Sequence, residues 1–196
     1  MEKLRWCSID PGSPTGVAIF DQYGKHVITG TIKYLTAADY IDRMKKMRDF
    51  HSIAFALLES YTPFITGRKG VFRTRTSHKV STQVQICKEI FPEHIFVNPK
   101  QWNPSSYSDK WKRAIVRSDY HIDMTNSHET DAFLMAMNIW KRVQMATGQR
   151  AFWALLALAM SDRKKYPRAN DRAPWFDLLE QYHDDMEIVR NKVVNY

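Results

Sequence analysis

Short apolar runs alternate with stripes at helical spacing along this chain. Leu4 to Asp10 reads as a buried strand and Thr15 to Phe20 as its hairpin partner. Asp21-Gln-Tyr-Gly24 makes a turn into a third strand, His26 to Tyr34. Thr36 stands where it can cap a helix with Tyr40, Ile41, Met44 and Met47 on one side, ending near Phe50. Ile53 to Leu58 is an unbroken apolar run, too short for a helix and placed like a central parallel strand.

The stretch Ser60 to Thr76 is polar, basic and without periodicity. Ser77 is the expected cap of a helix bearing Val80, Val84, Ile86 and Cys87, closed by Pro92. His94 to Val97 reads as a fifth strand, Asn98 to Ser108 with its two prolines as loop, and Asp109 to Tyr120 as a short helix. Ser127 is expected to cap a longer helix, Ala132 to Met145, which Gly148 ends. Residues 150–160 suggest another helix, and Pro174 suits the first turn of a last one. This order describes an α/β protein, a mixed sheet with helices flanking it.

Composition narrows the class. A length of 196 residues with 44% hydrophobic content fits a folded domain and argues against disorder. The longest apolar run, Ala151 to Met160, is about half of the ~20 residues that cross a bilayer. No signal peptide is expected at the N-terminus, and Cys7 and Cys87 read as buried thiols in a reducing compartment. The expected setting is therefore intracellular, without a membrane. Lysine and arginine number 29 against 21 acids, a net charge of +8, which points to a polyanionic partner.

Three acids carry the candidate chemistry. Asp10 ends the first strand at Pro11-Gly-Ser-Pro-Thr-Gly16, and Glu59 directly follows the run Ile53 to Leu58. Open α/β sheets place ligands at such carboxyl ends, and neighbouring parallel strands would bring both acids to one rim. In Ser127-His-Glu-Thr-Asp-Ala132, His128 and Asp131 are three apart and share a helix face. Glu129 lies about 100° round the helix, where an acid in a first turn suits the helix dipole. Acids converging on one rim repel unless cations lie between them. Hard divalent ions answer that need, Mg²⁺ first, with Mn²⁺ an acceptable substitute beside an imidazole. Two such ions roughly 4 Å apart can activate water and stabilise a leaving oxygen in phosphodiester hydrolysis.

Ser8-Ile-Asp-Pro-Gly-Ser-Pro-Thr-Gly16, Glu59 after its strand and His128-Glu-Thr-Asp-Ala132 resemble the RuvC family of Holliday-junction resolvases. The resemblance spans roughly residues 3–146 and implies an RNase H-like fold over residues 1–148, with a C-terminal helical extension over 149–196. It also implies that Asp10, Glu59, His128 and Asp131 form the catalytic, metal-holding set, with two ions per active site. A homodimer is implied as well, because a four-way junction must be cut on two strands.

From Ser60 through Lys88 there is no acid, while Arg68, Lys69, Arg73, Arg75, Lys79 and Lys88 are basic, which favours DNA contact over a solvated face of mixed charge. In the resembling family this segment enters the junction centre with an aromatic residue; Phe64 is the candidate for stacking on a base, with Tyr61 and Phe72 as rivals. Lys100 and Lys110 match the family's two lysines in and after the following loop, although Gln101-Trp-Asn-Pro104 departs from its glycine-containing pattern. The expected activity is metal-dependent resolution of four-way DNA junctions by paired nicks. The alternatives are an RNase H-like nuclease acting on flaps, other branched DNA or RNA/DNA hybrids, and a structural DNA-binding protein with a degenerate site. An actin-like ATPase is disfavoured, since no glycine falls between Gly70 and Gly148 to form its adenosine motif.

Overall fold

The computed structural model describes residues 5–21, 23–60, 74–97, 99–103 and 107–147. Its strands are β1 (Arg5–Asp10), β2 (Thr15–Asp21), β3 (His26–Ile32), β4 (Ile53–Glu59) and β5 (His94–Val97). The helices are α1 (Ala37–Phe50), α2 (Thr74–Ile90), α3 (Pro99–Trp102), α4 (Asp109–Tyr120) and α5 (Ser127–Thr147). They form one five-stranded sheet in the order β3-β2-β1-β4-β5. β1, β2 and β3 make an antiparallel meander, while β4 pairs parallel with both β1 and β5. The β2–β3 turn depends on Gly24, whose φ of +76° and contact with the Trp140 ring leave no room for a side chain.

Alternation along the strands sorts side chains onto two faces. Trp6, Phe20, Phe55 and Leu57 pack beneath α5 with Phe133, Ala136 and Trp140. The Trp6 ring stacks on Phe20 at 4.7 Å and on Trp140 at 5.6 Å. Cys7, Ile9, Val17, Ala56 and Leu58 face the other way, onto Tyr40 and Met44 of α1 and Cys87 and Ile90 of α2. Both thiols are buried and free, as their apolar contexts imply.

Over the described residues the expected strands and helices are present, with four corrections. β3 stops at Ile32, because Tyr34 turns in to lay its ring on Tyr40, 4.7 Å between centroids. α2 starts at Thr74, not at Ser77; no glycine or proline between them halts the helix. Pro99–Trp102 is a single helical turn within the expected loop, since a proline suits a first helical position. α5 begins at Ser127, and its cap is Asn126, whose side-chain oxygen accepts from the Glu129 N–H at 3.0 Å. The Gly148 stop, the 150–160 helix, the Pro174 helix and the 149–196 extension lie outside the described residues. No described helix is long and apolar enough to cross a membrane.

Candidate active site

The register of β1 on β4 aligns Ile9 with Leu58, so Asp10 and Glu59 end the two strands side by side. Period-two alternation turns both toward the α5 face, with Trp6 and Leu57 below them. α5 approaches from above because two glycines let it. A Cβ on Gly16 would collide with the His128 backbone carbonyl, and one on Gly12 with the His128 ring. His128 therefore lies over the turn after Asp10, and its Nδ1 meets Asp10 Oδ2 at 2.7 Å. That hydrogen bond, foremost, holds the imidazole above its ordinary range and favours the protonated ring.

Glu59 is pushed up to about 9, by burial first and then by the neighbouring Asp10 carboxylate. Two neighbouring carboxylates resist double ionisation, which is why Glu59 favours its protonated form. Asp131, one helical turn beyond His128, is raised by burial against the pull of Lys112. The Lys112 ammonium lies 2.8 Å from Asp131 Oδ1, and its side chain is only 6% exposed. Glu129 turns away: its Oε2 accepts from the Thr125 N–H and hydroxyl at 3.1 and 2.7 Å, which ties down the start of α5.

The loop between Asp10 and Thr15 is held from the opposite face. The Thr15 hydroxyl donates to the Gly12 carbonyl at 2.9 Å and lies 3.2 Å from the Tyr40 hydroxyl. The buried Gln83 amide donates to the same carbonyl and to Thr15. Lys79 reaches across from α2 to the Ser13 hydroxyl at 3.1 Å.

The donor chemistry of this rim fits a hard divalent cation at Asp10 and Glu59, where a cation would offset the repulsion that helps raise Glu59. Asp131 differs, since an ammonium already neutralises it. Among the described residues no three His, Cys, Asp or Glu side chains gather as a ready-made cage.

No protein-family model matches the chain, and no curated protein does. Its backbone is similar to solved structures. One is Thermus thermophilus RuvC in complex with Holliday junction substrate, at a TM-score of 0.55 and 13% identity, covering 74% of this chain and 97% of that one. Another is a Thermus thermophilus RuvC structure, at 0.52 and 15%, covering 73% and 97%. The chain has the RuvC fold. At these identities the likeness is one of backbone architecture, the mixed RNase H-like sheet with its flanking helices.

On this RuvC-type scaffold, four sequence-selected residues come to one rim: Asp10 beside Glu59 and hydrogen-bonded to His128, and Asp131 paired with Lys112. Phe64, Arg68, Lys69 and Arg73 lie outside the described residues, as do the rivals Tyr61 and Phe72. Arg75 falls in the first turn of α2 and Lys100 in α3. Lys79 is exposed at the Ser13 edge, its ammonium 5.0 Å from the Tyr34 ring centroid. Lys110 is exposed at the start of α4, next to Trp111, which is 54% exposed and packs edge-on to Tyr107. Lys112 was not among the site residues expected from the sequence, yet its ammonium is buried in the site on Asp131. The available signal was its spacing: Lys112, Val116 and Tyr120 recur every four residues along the inward stripe of α4.

Proposed function

We propose that this protein is a divalent-metal-dependent endonuclease that resolves four-way DNA junctions, acting as a homodimer to make paired nicks. The observation that carries the reading is the meeting of Asp10 and Glu59 at the ends of adjacent parallel strands, with His128 bonded to Asp10 from α5. Asp10 and Glu59 would hold a divalent ion, which when bound would act as a Lewis acid on the phosphate and lower the pKa of water.

The chain's own residues do the rest. A water oxygen bonds to phosphorus as the bond from phosphorus to the 3′ oxygen breaks, leaving 5′-phosphate and 3′-hydroxyl ends. His128 is held by Asp10 through Nδ1 with its ring favouring the protonated form, so Nε2–H is left to orient the attacking water, whose proton passes to solvent. A proton from solvent completes the 3′-hydroxyl. Lys79 on α2 and Lys110 on α4 supply phosphate contacts on either side, together with the basic residues 68–75. Exposed Trp111 and Tyr107 add an aromatic platform beside Lys110 for unpaired bases, a second stacking candidate alongside Phe64. The RuvC structure solved with a Holliday junction supports the choice of substrate class.

The test is Mg²⁺-dependent cleavage of a synthetic mobile four-way junction, with nick positions mapped on all strands and flap, duplex and hybrid substrates in parallel. Paired nicks confined to the junction are expected, lost in Asp10→Asn while junction binding by gel shift persists. Cleavage of hybrids alone would replace this reading with the RNase H-like alternative. Junction binding without cleavage by the wild type would favour a structural DNA-binding protein.

A further inference from the structure

The Lys112 ammonium is confined from several directions. Nζ lies 2.8 Å from Asp131 Oδ1 and 3.8 Å from Asp109 Oδ1, and 5.6 Å from the centre of the buried Trp102 ring. Its neighbours Lys110 and Trp111 point to solvent, whereas Lys112 is as enclosed as a core residue. A charge so enclosed needs a fixed partner, and the partner it has is one of the three acids that a two-ion nuclease would turn toward its cations.

Resting on the endonuclease reading above, we propose that Lys112 is a built-in cation occupying the second-ion position at Asp131, so that the rim holds a single divalent ion between Asp10 and Glu59. Charge supports this count. Asp10, Glu59, Asp131 and Asp109 carry four negative charges when ionised, and one divalent ion, the Lys112 ammonium and a protonated His128 meet them. A second divalent ion would have to expel Lys112 from beneath Trp102 or leave the rim in positive excess. The ammonium, tethered through α4, competes at an effective concentration that a dilute free ion does not match. An ammonium can also serve the second ion's catalytic purpose, neutralising charge that develops on an oxygen of the reacting phosphate.

The experiment is Mn²⁺ titration of the full-length protein without DNA, with the free ion followed by electron paramagnetic resonance. The wild type is expected to take up one Mn²⁺ per chain, and Lys112→Met, similar in length but uncharged, two. Two ions in the wild type overturn the proposal and leave the junction-cleavage assay to judge the endonuclease reading by itself. One ion in both proteins also overturns it, because Lys112 then excludes nothing. No uptake by the wild type overturns the proposal together with the metal dependence on which it rests. Should Lys112→Met fail to fold by circular dichroism, the wild-type count still decides, and Asp131→Asn provides a second reading. That variant should keep the wild-type Mn²⁺ affinity within about threefold; a loss of tenfold or more, of the size seen when metal-site groups are removed, overturns the proposal.

Discussion

The two faces of the sheet are built from different materials. Beneath α5 the packing is aromatic, with Trp6, Phe20, Phe133 and Trp140 in contact, and the acids, His128 and Lys112 cluster at its upper rim. Toward α1 and α2 the packing is aliphatic and sulfur-rich, and Thr15 and Gln83 grip the Gly12 carbonyl of the loop after Asp10 while Tyr40 meets the Thr15 hydroxyl. The contrast separates two tasks. One face presents charge where a substrate can reach it; the other fixes the main chain from which that charge projects. Large rigid rings beneath the rim hold α5 at a set height, whereas the loop needs hydrogen bonds, because backbone and not side chain is what must stay still there.

The largest expected effect needs no mutation. Glu59 is raised from an ordinary 4.5 to about 9, and His128 is raised as well. The folded state therefore binds protons more tightly than the unfolded chain across this range, so stability falls as pH rises. Glu59 begins to cost stability above about pH 4.5, and His128 gives up its contribution as pH climbs through its raised value. The buried thiols of the opposite face add no cost until the ordinary thiol value of 9.0, above which Cys7 and Cys87, raised by burial, begin to penalise the fold, with Tyr40 joining at still higher pH. Melting of the metal-free protein should drop steadily between about pH 5 and pH 9, and Asp10→Asn should blunt the drop; a flat profile would break the contrast.

Among substitutions, Phe133→Ala should come first, costing about 3–5 kcal/mol in urea unfolding by opening a cavity beneath α5. Gly16→Ala should cost about 1–3 kcal/mol, and because the His128 backbone must move away, it should depress junction cleavage far more than stability alone explains. Asn126→Ala, which removes the α5 cap, should cost about 1 kcal/mol and leave α1 and α2 untouched by hydrogen exchange.

Much of this architecture was legible in the sequence because it rests on local signals. Ile53 to Leu58 could hardly be anything but a buried strand, Thr36 caps α1, and α4 spans the predicted residues. His128 and Asp131 share a helix face by arithmetic alone. What escaped depends on choices among equivalent residues or on distant partners. Asn126 and Ser127 are both good caps, and the decision falls to Glu129 reaching back to Thr125. Ser77 lost its expected role because Thr74 to Thr76 continue the helix without penalty. Lys112 escaped because its four-residue spacing with Val116 and Tyr120 marks only an inward stripe, while the partner that lets a lysine be buried there, Asp131, lies 19 residues further on. The extension beyond residue 148 lies outside the described residues and adds nothing to this comparison.

The strand order has a consequence for how the molecule assembles. β1, β2 and β3 close over short turns, but β4 reaches β1 only after the α1 crossover, at a larger loop-closure entropy. Asp10 and Glu59 belong to opposite sides of that late junction. Their mutual repulsion thus burdens one pairing step and spares the meander, so the chain can complete its hairpins before the two like charges ever confront each other.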